Sequence, residues 1–293
     1  MSVIALQARI EAHLQNQLRA MFLPARGAPI GQADAVHKMR VATRRLRVSL
    51  RYFTELLPAS ELRQVQRQLR RATRTLGAIR SLDVNLQLLR QAAKHLPASS
   101  AAVQRKLTGE LLAARLPHVN DLRELLQTFT TSHFETHVRT SVLKPRPRDD
   151  QRVLADAQDF ITKLRRQLRR RFKHCRHDDL CSPAIHKLRI TAKRYRYALE
   201  TSAAVFRTSP EAQIKAIKAL QNRLGVCHDH EVLLEFLRGC RRQWKKADNP
   251  LAERLTSVLA FFQGEHEVAF ADVRQILNAD QDWHKKVKLR LPL

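Results

Sequence analysis

Acid is what this chain is short of. Only 27 Asp and Glu stand against 54 Lys and Arg, giving a formal charge of +27 and a pI near 11.2. Such an excess favours an anionic partner on electrostatic grounds and says nothing about fold. Glycine is scarce too, with 7 among 293 residues, while Ala, Leu, Arg and Gln are frequent. These residues lose little on entering a helix, so the fold class is read as all-α. Aromatics make up 5%, and none interleave with the cations as a platform for stacking bases would require. Nucleic acid is therefore expected to bind only non-specifically, through its backbone.

No apolar run approaches the roughly 20 residues of a membrane span. The N-terminal "MSVIALQARIEAHLQ" reads as an amphipathic helix with acids and amides rather than as a signal peptide. No membrane span is expected, and the cytoplasm is the expected compartment. The four cysteines, Cys175, Cys181, Cys227 and Cys240, form no C-x-x-C pair and are too sparse for a disulfide framework. Free thiols are expected. His174, Cys175, His177 and Cys181 match no zinc template, and "HCRHDDLCSP" reads as an interhelical turn. Neither metal nor other cofactor is expected.

What the chain does have is a repeat. "VHKMRVATRRLRVSL" from Val36 to Leu50 returns 149 residues later as "IHKLRITAKRYRYAL" from Ile185 to Leu199. Arg45 and Arg194 are identical counterparts, as are His37 and His186, Lys38 and Lys187, Arg40 and Arg189, and Arg47 and Arg196; Arg44 and Lys193 keep the charge. Further on, "LGAIRSLDVNLQLL" from Leu76 matches "LGVCHDHEVLLEFL" from Leu224, aligning Gly77 with Gly225 and Asp83 with Glu231. Residues 1–150 carry 25 Lys and Arg against 11 acids, and the remainder 29 against 16. Two similar halves, 1–148 and 149–293, are expected to meet near the Pro-rich "LKPRPRDD".

Apolar periodicity and the stop signals predict helices at 2–22, 32–57, 60–77, 81–96, 99–115 and 119–140. In the second half they fall at 151–175, 183–206, 210–225, 229–246 and 250–277, with a short tail beyond. Ser60, Ser182 and Ser209 are expected N-caps, and Asn249-Pro250 is expected to open a helix.

At about 100° per residue, His37, Arg40, Arg44, Arg47 and Arg51 form one stripe, while Met39, Ala42, Leu46 and Leu50 form the opposite, core-facing one. His186, Arg189, Lys193 and Arg196 form the same stripe in the second copy, with Glu200 standing where the first copy has Arg51. The following helix carries Arg63, Arg67, Arg70 and Arg74 on one face, and its counterpart keeps Lys215 and Lys218. Like charges at this spacing repel by about 0.2 to 0.5 kcal/mol per pair. Between Lys38 and Arg80 there are 12 cations and two acids, so internal pairs cannot neutralise the stripes. The counter-ion must come from outside, and a stripe rising roughly 21 Å suits an extended polyanion better than a single phosphate.

The doubled H-K-x-R-x-x-x-[RK]-R-x-R element, each copy followed by L-G and an acid-Val pair, resembles the CHAD domain, the conserved-histidine α-helical domain. The resemblance implies two four-helix bundles related by pseudo-twofold symmetry, a basic cavity between them, and binding of inorganic polyphosphate. It also implies association with polyphosphate granules and with other granule proteins. By position it points to His37, Lys38, Arg40, Arg44 and Arg47, and to His186, Lys187, Arg189, Lys193 and Arg196. The full candidate set adds Arg45, Arg51, Arg67, Arg70, Arg74, Arg80, Arg194, Lys215 and Lys218. Two departures from the family pattern stand out, Ser81 in place of an acid and His228 in place of an arginine. They leave open which carboxylates orient the arginines.

The chain reads as a binding module without catalysis. The acids are scattered, and neither a Gly-rich phosphate loop nor H-E-x-x-H occurs. A metal-dependent phosphoanhydride hydrolase would have to draw on His37, His186, Asp83, Asp229 or Glu231. If the two histidines touch phosphate, binding should strengthen below about pH 6.5.

Overall fold

The computed structural model describes residues 3–24, 26–177, 182–206 and 210–279. Their order is α1 (Val3–Phe22), α2 (Ala33–Tyr52), α3 (Ala59–Ala92), α4 (Ala101–Thr131) and the short α5 (Phe134–His137), which runs into a π-helical turn at Val138–Val142. Then come α6 (Asp150–His177), α7 (Ser182–Ser202), α8 (Glu211–Lys246) and α9 (Leu251–Ala279). No strand occurs among the described residues, and the chain is all-α.

Helix α2 shows why the elements pack as they do. Val36, Met39, Ala42, Thr43, Leu46, Ser49 and Leu50 are buried at three- and four-residue spacing, which turns the cations of the same helix to the other side. In α7, Ile185, Leu188, Ala192, Tyr195 and Leu199 do the same. Each such Leu or Met removed from water contributes about 1.5 to 3 kcal/mol. That driving force is what the charged faces have to be held against.

Buried side chains form two clusters, and both draw on residues before and after 148. The larger joins Ile10 and Leu14 of α1 to Leu46, Leu69, Leu168, Leu188, Tyr195 and Leu224. The smaller combines the second half of α3 and the start of α4 (Leu89, Leu107, Leu111) with the second half of α8 and the start of α9 (Leu237, Trp244, Leu255, Phe262). Counterpart helices touch, α2 against α7 and α3 against α8. A polar chain ties them further: His13 Nε2 lies 3.1 Å from Ser49 Oγ, which lies 2.9 Å from Thr201 Oγ1. At the far end Trp244 Nε1 donates to Glu110 Oε1 at 2.7 Å, locking α8 to α4.

Several sequence-based boundaries are corrected. The pairs 60–77 with 81–96 and 210–225 with 229–246 are single helices, α3 and α8, running straight through Gly77 and Gly225. A glycine inside a helix costs only about 1 kcal/mol, well below what burial on either side returns. Likewise α4 continues through Pro117 because Leu107, Leu111, Leu122 and Leu125 are buried along its length. The expected helix 119–140 instead ends at Thr131, where His133 takes a left-handed φ of 48°. Ser60 lies inside the first turn of α3, whose N-cap position is Pro58.

Asn249 does open α9, its Oδ1 accepting from the Leu251 amide at 3.0 Å. His174, Cys175 and His177 extend α6 rather than forming a turn. Cys181, the Ser209 cap and the tail beyond 279 lie outside the described residues, as does the side chain of Ser182. Cys227 and Cys240 are buried and unbridged.

Apart from the chain neighbours and the helix's own adjacent backbone, nothing lies within 4 Å of where a Cβ would stand on Gly77 or Gly225. Replacing either by alanine is therefore expected to stabilise the protein by about 0.5 to 1 kcal/mol, read as a higher midpoint in urea unfolding.

Candidate functional site

Because α2 and α7 bury their apolar stripes on the far side, their cationic stripes meet. Between them lies a cavity of about 310 Å³. From α2 it is lined by Arg44, Arg47, Val48 and Arg51, and from α7 by His186, Arg189, Ile190, Lys193, Arg194 and Tyr197. Thr73 of α3 completes it, its hydroxyl accepting from Arg47 Nη1 at 3.1 Å. Six of these side chains are arginine or lysine, and none is acidic.

The groups feel one another. Burial and the neighbouring guanidiniums of Arg44 and Arg189 lower Arg40 to about 10, and burial with Arg51, Arg70 and Arg44 does the same to Arg47. Burial also lowers Arg44 and Arg189. Lys193 is shifted strongly too: burial, then Arg189, Arg44 and Arg40, bring its ammonium down to about 7. Its charge is thus held far less firmly than that of an ordinary lysine. The Nε atoms of the counterparts Arg40 and Arg189 are buried and have no hydrogen-bond partner in the described protein. Donors in that condition cost free energy until an acceptor reaches them.

Burial and neighbouring cations bear on the histidines as well. His37 is lowered by burial and then by Arg80 and Arg40, and His186 by burial and then by Arg189. Both histidines are thus harder to protonate than a free imidazole, and the Lys193 ammonium is brought down into the neutral range. Arg80 reaches the same region from α3, acting on His37, Arg40 and Asp229.

Other candidates are held elsewhere. Lys38 is exposed and pairs with Asp34 at 2.6 Å, one turn back on α2. Arg45 Nε donates to Glu200 at 2.8 Å, and Arg196 Nε stands 3.7 Å from the same carboxylate. The guanidinium of Arg196 also covers the Tyr197 ring at 4.8 Å. Lys187, Arg67, Arg74, Lys215 and Lys218 are exposed along their helices and do not line the cavity; Arg70 is exposed but close enough to act on Arg47 and Arg51.

Two groups enter the site that the sequence-based binding set leaves out, His228, noted there as a departure, and Asp229, named there only for the hydrolase alternative. The His228 ring lies 4.9 Å from that of His186, and burial with Arg189, His186 and Lys193 lowers it to about 3. Asp229 is raised by burial although Arg189, Lys193, Arg80 and Arg40 all pull it down. It is the acid that faces the cluster. Asp83 serves another purpose, accepting from Arg115 Nε at 2.7 Å while Arg115 also donates to the Gly31 carbonyl. The signal available in the sequence was spacing, since His228 and Asp229 follow Gly225 by the same interval as Arg80 and Ser81 follow Gly77.

No group of three or more His, Cys, Asp or Glu able to hold a metal occurs among the described residues, and no described helix is long and apolar enough to cross a membrane.

The fold is shared with solved structures. The crystal structure of the CHAD domain from the plant Ricinus communis superposes with a TM-score of 0.71 at 21% identity, covering 98% of this chain and 93% of that one. PptA from Streptomyces chartreusis superposes with a TM-score of 0.65 at 18% identity, covering 92% and 98% respectively. No curated protein matches the sequence. The CHAD domain family model matches residues 12–238, most of the sequence and including both basic helices with the cavity they enclose, so the chain belongs to the CHAD domain family.

Proposed function

We propose that the protein binds inorganic polyphosphate, without turning it over, in the trough between α2 and α7. One observation carries this: counterpart cationic stripes face each other across a cavity whose lining holds six arginines and lysines and no acid. A crowded, partly buried set of like charges is unfavourable alone, and an anion with closely spaced charges along a flexible backbone relieves it at every position. Arginine forks match phosphate oxygens in pairs, and each charge-assisted bond is stronger than a neutral one. His37, Arg40, Arg44, Arg47, Arg51, Arg80, His186, Arg189, Lys193 and Arg194 are the ligands on this reading. Lys38, Lys187, Arg67, Arg74, Lys215 and Lys218 act at most as an outer field that steers the anion inward. Residence at polyphosphate granules in the cytoplasm follows from the same chemistry.

A second reading has its own observation. Helix α6 carries Arg166, Arg169, Arg170, Arg171 and Lys173, all exposed and none of them lining the trough. Such a surface suits the backbone of nucleic acid without reading sequence. Competition separates the two: duplex DNA that displaces polyphosphate at equal phosphate concentration favours the outer surface, and failure to displace favours the trough.

Reversing the charge at Arg44 and Lys193 together is expected to weaken binding of long-chain polyphosphate about a hundredfold or more, with the helical circular dichroism unchanged. Wild-type affinity in filter binding would reject the trough.

The pH dependence has a definite sign. An anion favours charged Lys193, so binding takes up a proton and affinity falls as pH rises through about 7 towards the higher pKa of the bound state. The expected loss between pH 6 and pH 9 is about tenfold, and Lys193→Arg should flatten it. In the free protein the lowered pKa means the folded state holds fewer protons than the unfolded one between about 7 and 10.5, so Lys193 contributes a stability that rises with pH across that window. Lys193→Met is accordingly expected to raise the melting temperature at neutral pH and low salt while reducing polyphosphate affinity.

A further inference from the structure

The two sides of the trough are not equivalent, and the difference is chemical. At the 149-residue offset, Arg45, Arg47 and Arg51 correspond to Arg194, Arg196 and Glu200. On one side, Arg45 and Arg196 gather around the Glu200 carboxylate, at 2.8 and 3.7 Å. Their counterparts on the other side are Arg194 and Arg47, and the residue in the place of the carboxylate is Arg51. Thus one side has two guanidiniums around an anion, and the other has the same two guanidiniums with a third cation. Burial and then Arg194 and Arg70 lower Arg51, and Arg51, Arg70 and Arg194 all bear on Arg47. Arg47, Arg51 and Arg194 all line the cavity, whereas Arg45, Arg196 and Glu200 do not.

We propose that Arg47, Arg51 and Arg194, with Arg70 at the edge, form an anchoring subsite for the terminal phosphoryl group of a chain, and that Glu200 fills the corresponding position on the opposite side. Glu200 shows where the missing anion belongs, because it is a carboxylate already held by the counterparts of two of these arginines. A terminal phosphoryl group suits the corner better than an internal one. Its second ionisation adds charge near neutral pH, and it exposes three oxygens to forked donors. The bound chain is then anchored at one side and unanchored at the other, where the protein supplies its own counter-ion. This rests on the reading that the trough binds polyphosphate.

The test compares linear tripolyphosphate, cyclic trimetaphosphate, which has no terminal group, and long-chain polyphosphate, each titrated calorimetrically into the full chain. Wild type is expected to prefer the linear trimer over the cyclic one at least tenfold, with one linear trimer bound per chain. Arg51→Glu, which recreates the self-neutralised arrangement of the other side, should lose that preference and at least tenfold in tripolyphosphate affinity. Glu200→Gln should raise the stoichiometry towards two. Circular dichroism confirms that each variant folds, and the wild-type comparison of the two trimers stands even if a variant does not. Equal affinity of wild type for linear and cyclic trimers, or tripolyphosphate affinity within twofold of wild type in folded Arg51→Glu, overturns the subsite while long-chain binding leaves the trough intact. Failure of wild type to bind long-chain polyphosphate overturns the trough and the subsite together.

Discussion

Mutual repulsion between α2 and α7 is the constraint on which the rest of this structure depends. Two helices that ought to separate are pressed together with their cations facing inward. The force that holds them is burial of apolar side chains on their opposite faces, in a cluster that includes Met39, Leu46 and Leu50 from α2 and Leu188, Tyr195 and Leu199 from α7. Neither helix could release the charge without exposing that surface. Burial, and after it the neighbouring cations, lowers the pKa of Arg40, Arg47 and Lys193 within the site. A protein that stores free energy in this way gives up some stability in its unliganded form and gains affinity for whatever anion removes the crowding.

Much of this is legible in the amino-acid sequence. The 149-residue repeat identified α2 and α7, and helical periodicity put His37, Arg40, Arg44, Arg47 and Arg51 on one face opposite a buried one. Periodicity within a single helix is a local property, and local properties survive folding. What failed were inferences from punctuation. Gly77, Gly225 and Pro117 look like stops in a linear reading, yet long helices with buried leucines on both sides tolerate them. Which cations remain unpaired was also hidden, because Arg45 finds Glu200 across 155 positions of sequence. A substitution that looks like a weakened stripe is in the fold an ion pair between counterpart helices.

The carboxylates show the same limit in another form. Asp83 and Glu231 align in sequence, but Asp83 secures Arg115 beside the Gly31 turn, whereas Glu231 lies 3.8 Å from His228. Asp229, which aligns with a serine, is the acid turned towards Arg189 and Lys193. Sequence alignment of the two copies gives positions, and only packing decides which position does what. The site's histidines were a further case. Burial first, and neighbouring guanidiniums after it, lower their pKa, and both are long-range facts.

The shared clusters of buried side chains have one more consequence. Leu107 and Leu111 share a cluster with Leu237 and Phe262, and Leu46 belongs with Leu188, so the interior is shared between the copies. A version assembled from two separate but identical polypeptides would have to be an obligate dimer with exact rotational symmetry, and each partner would carry the same side chain at the position of Arg51 and Glu200. Either both would repel or both would be quenched. Joining the copies covalently removes that restriction, and handedness along the groove becomes something a single gene product can encode.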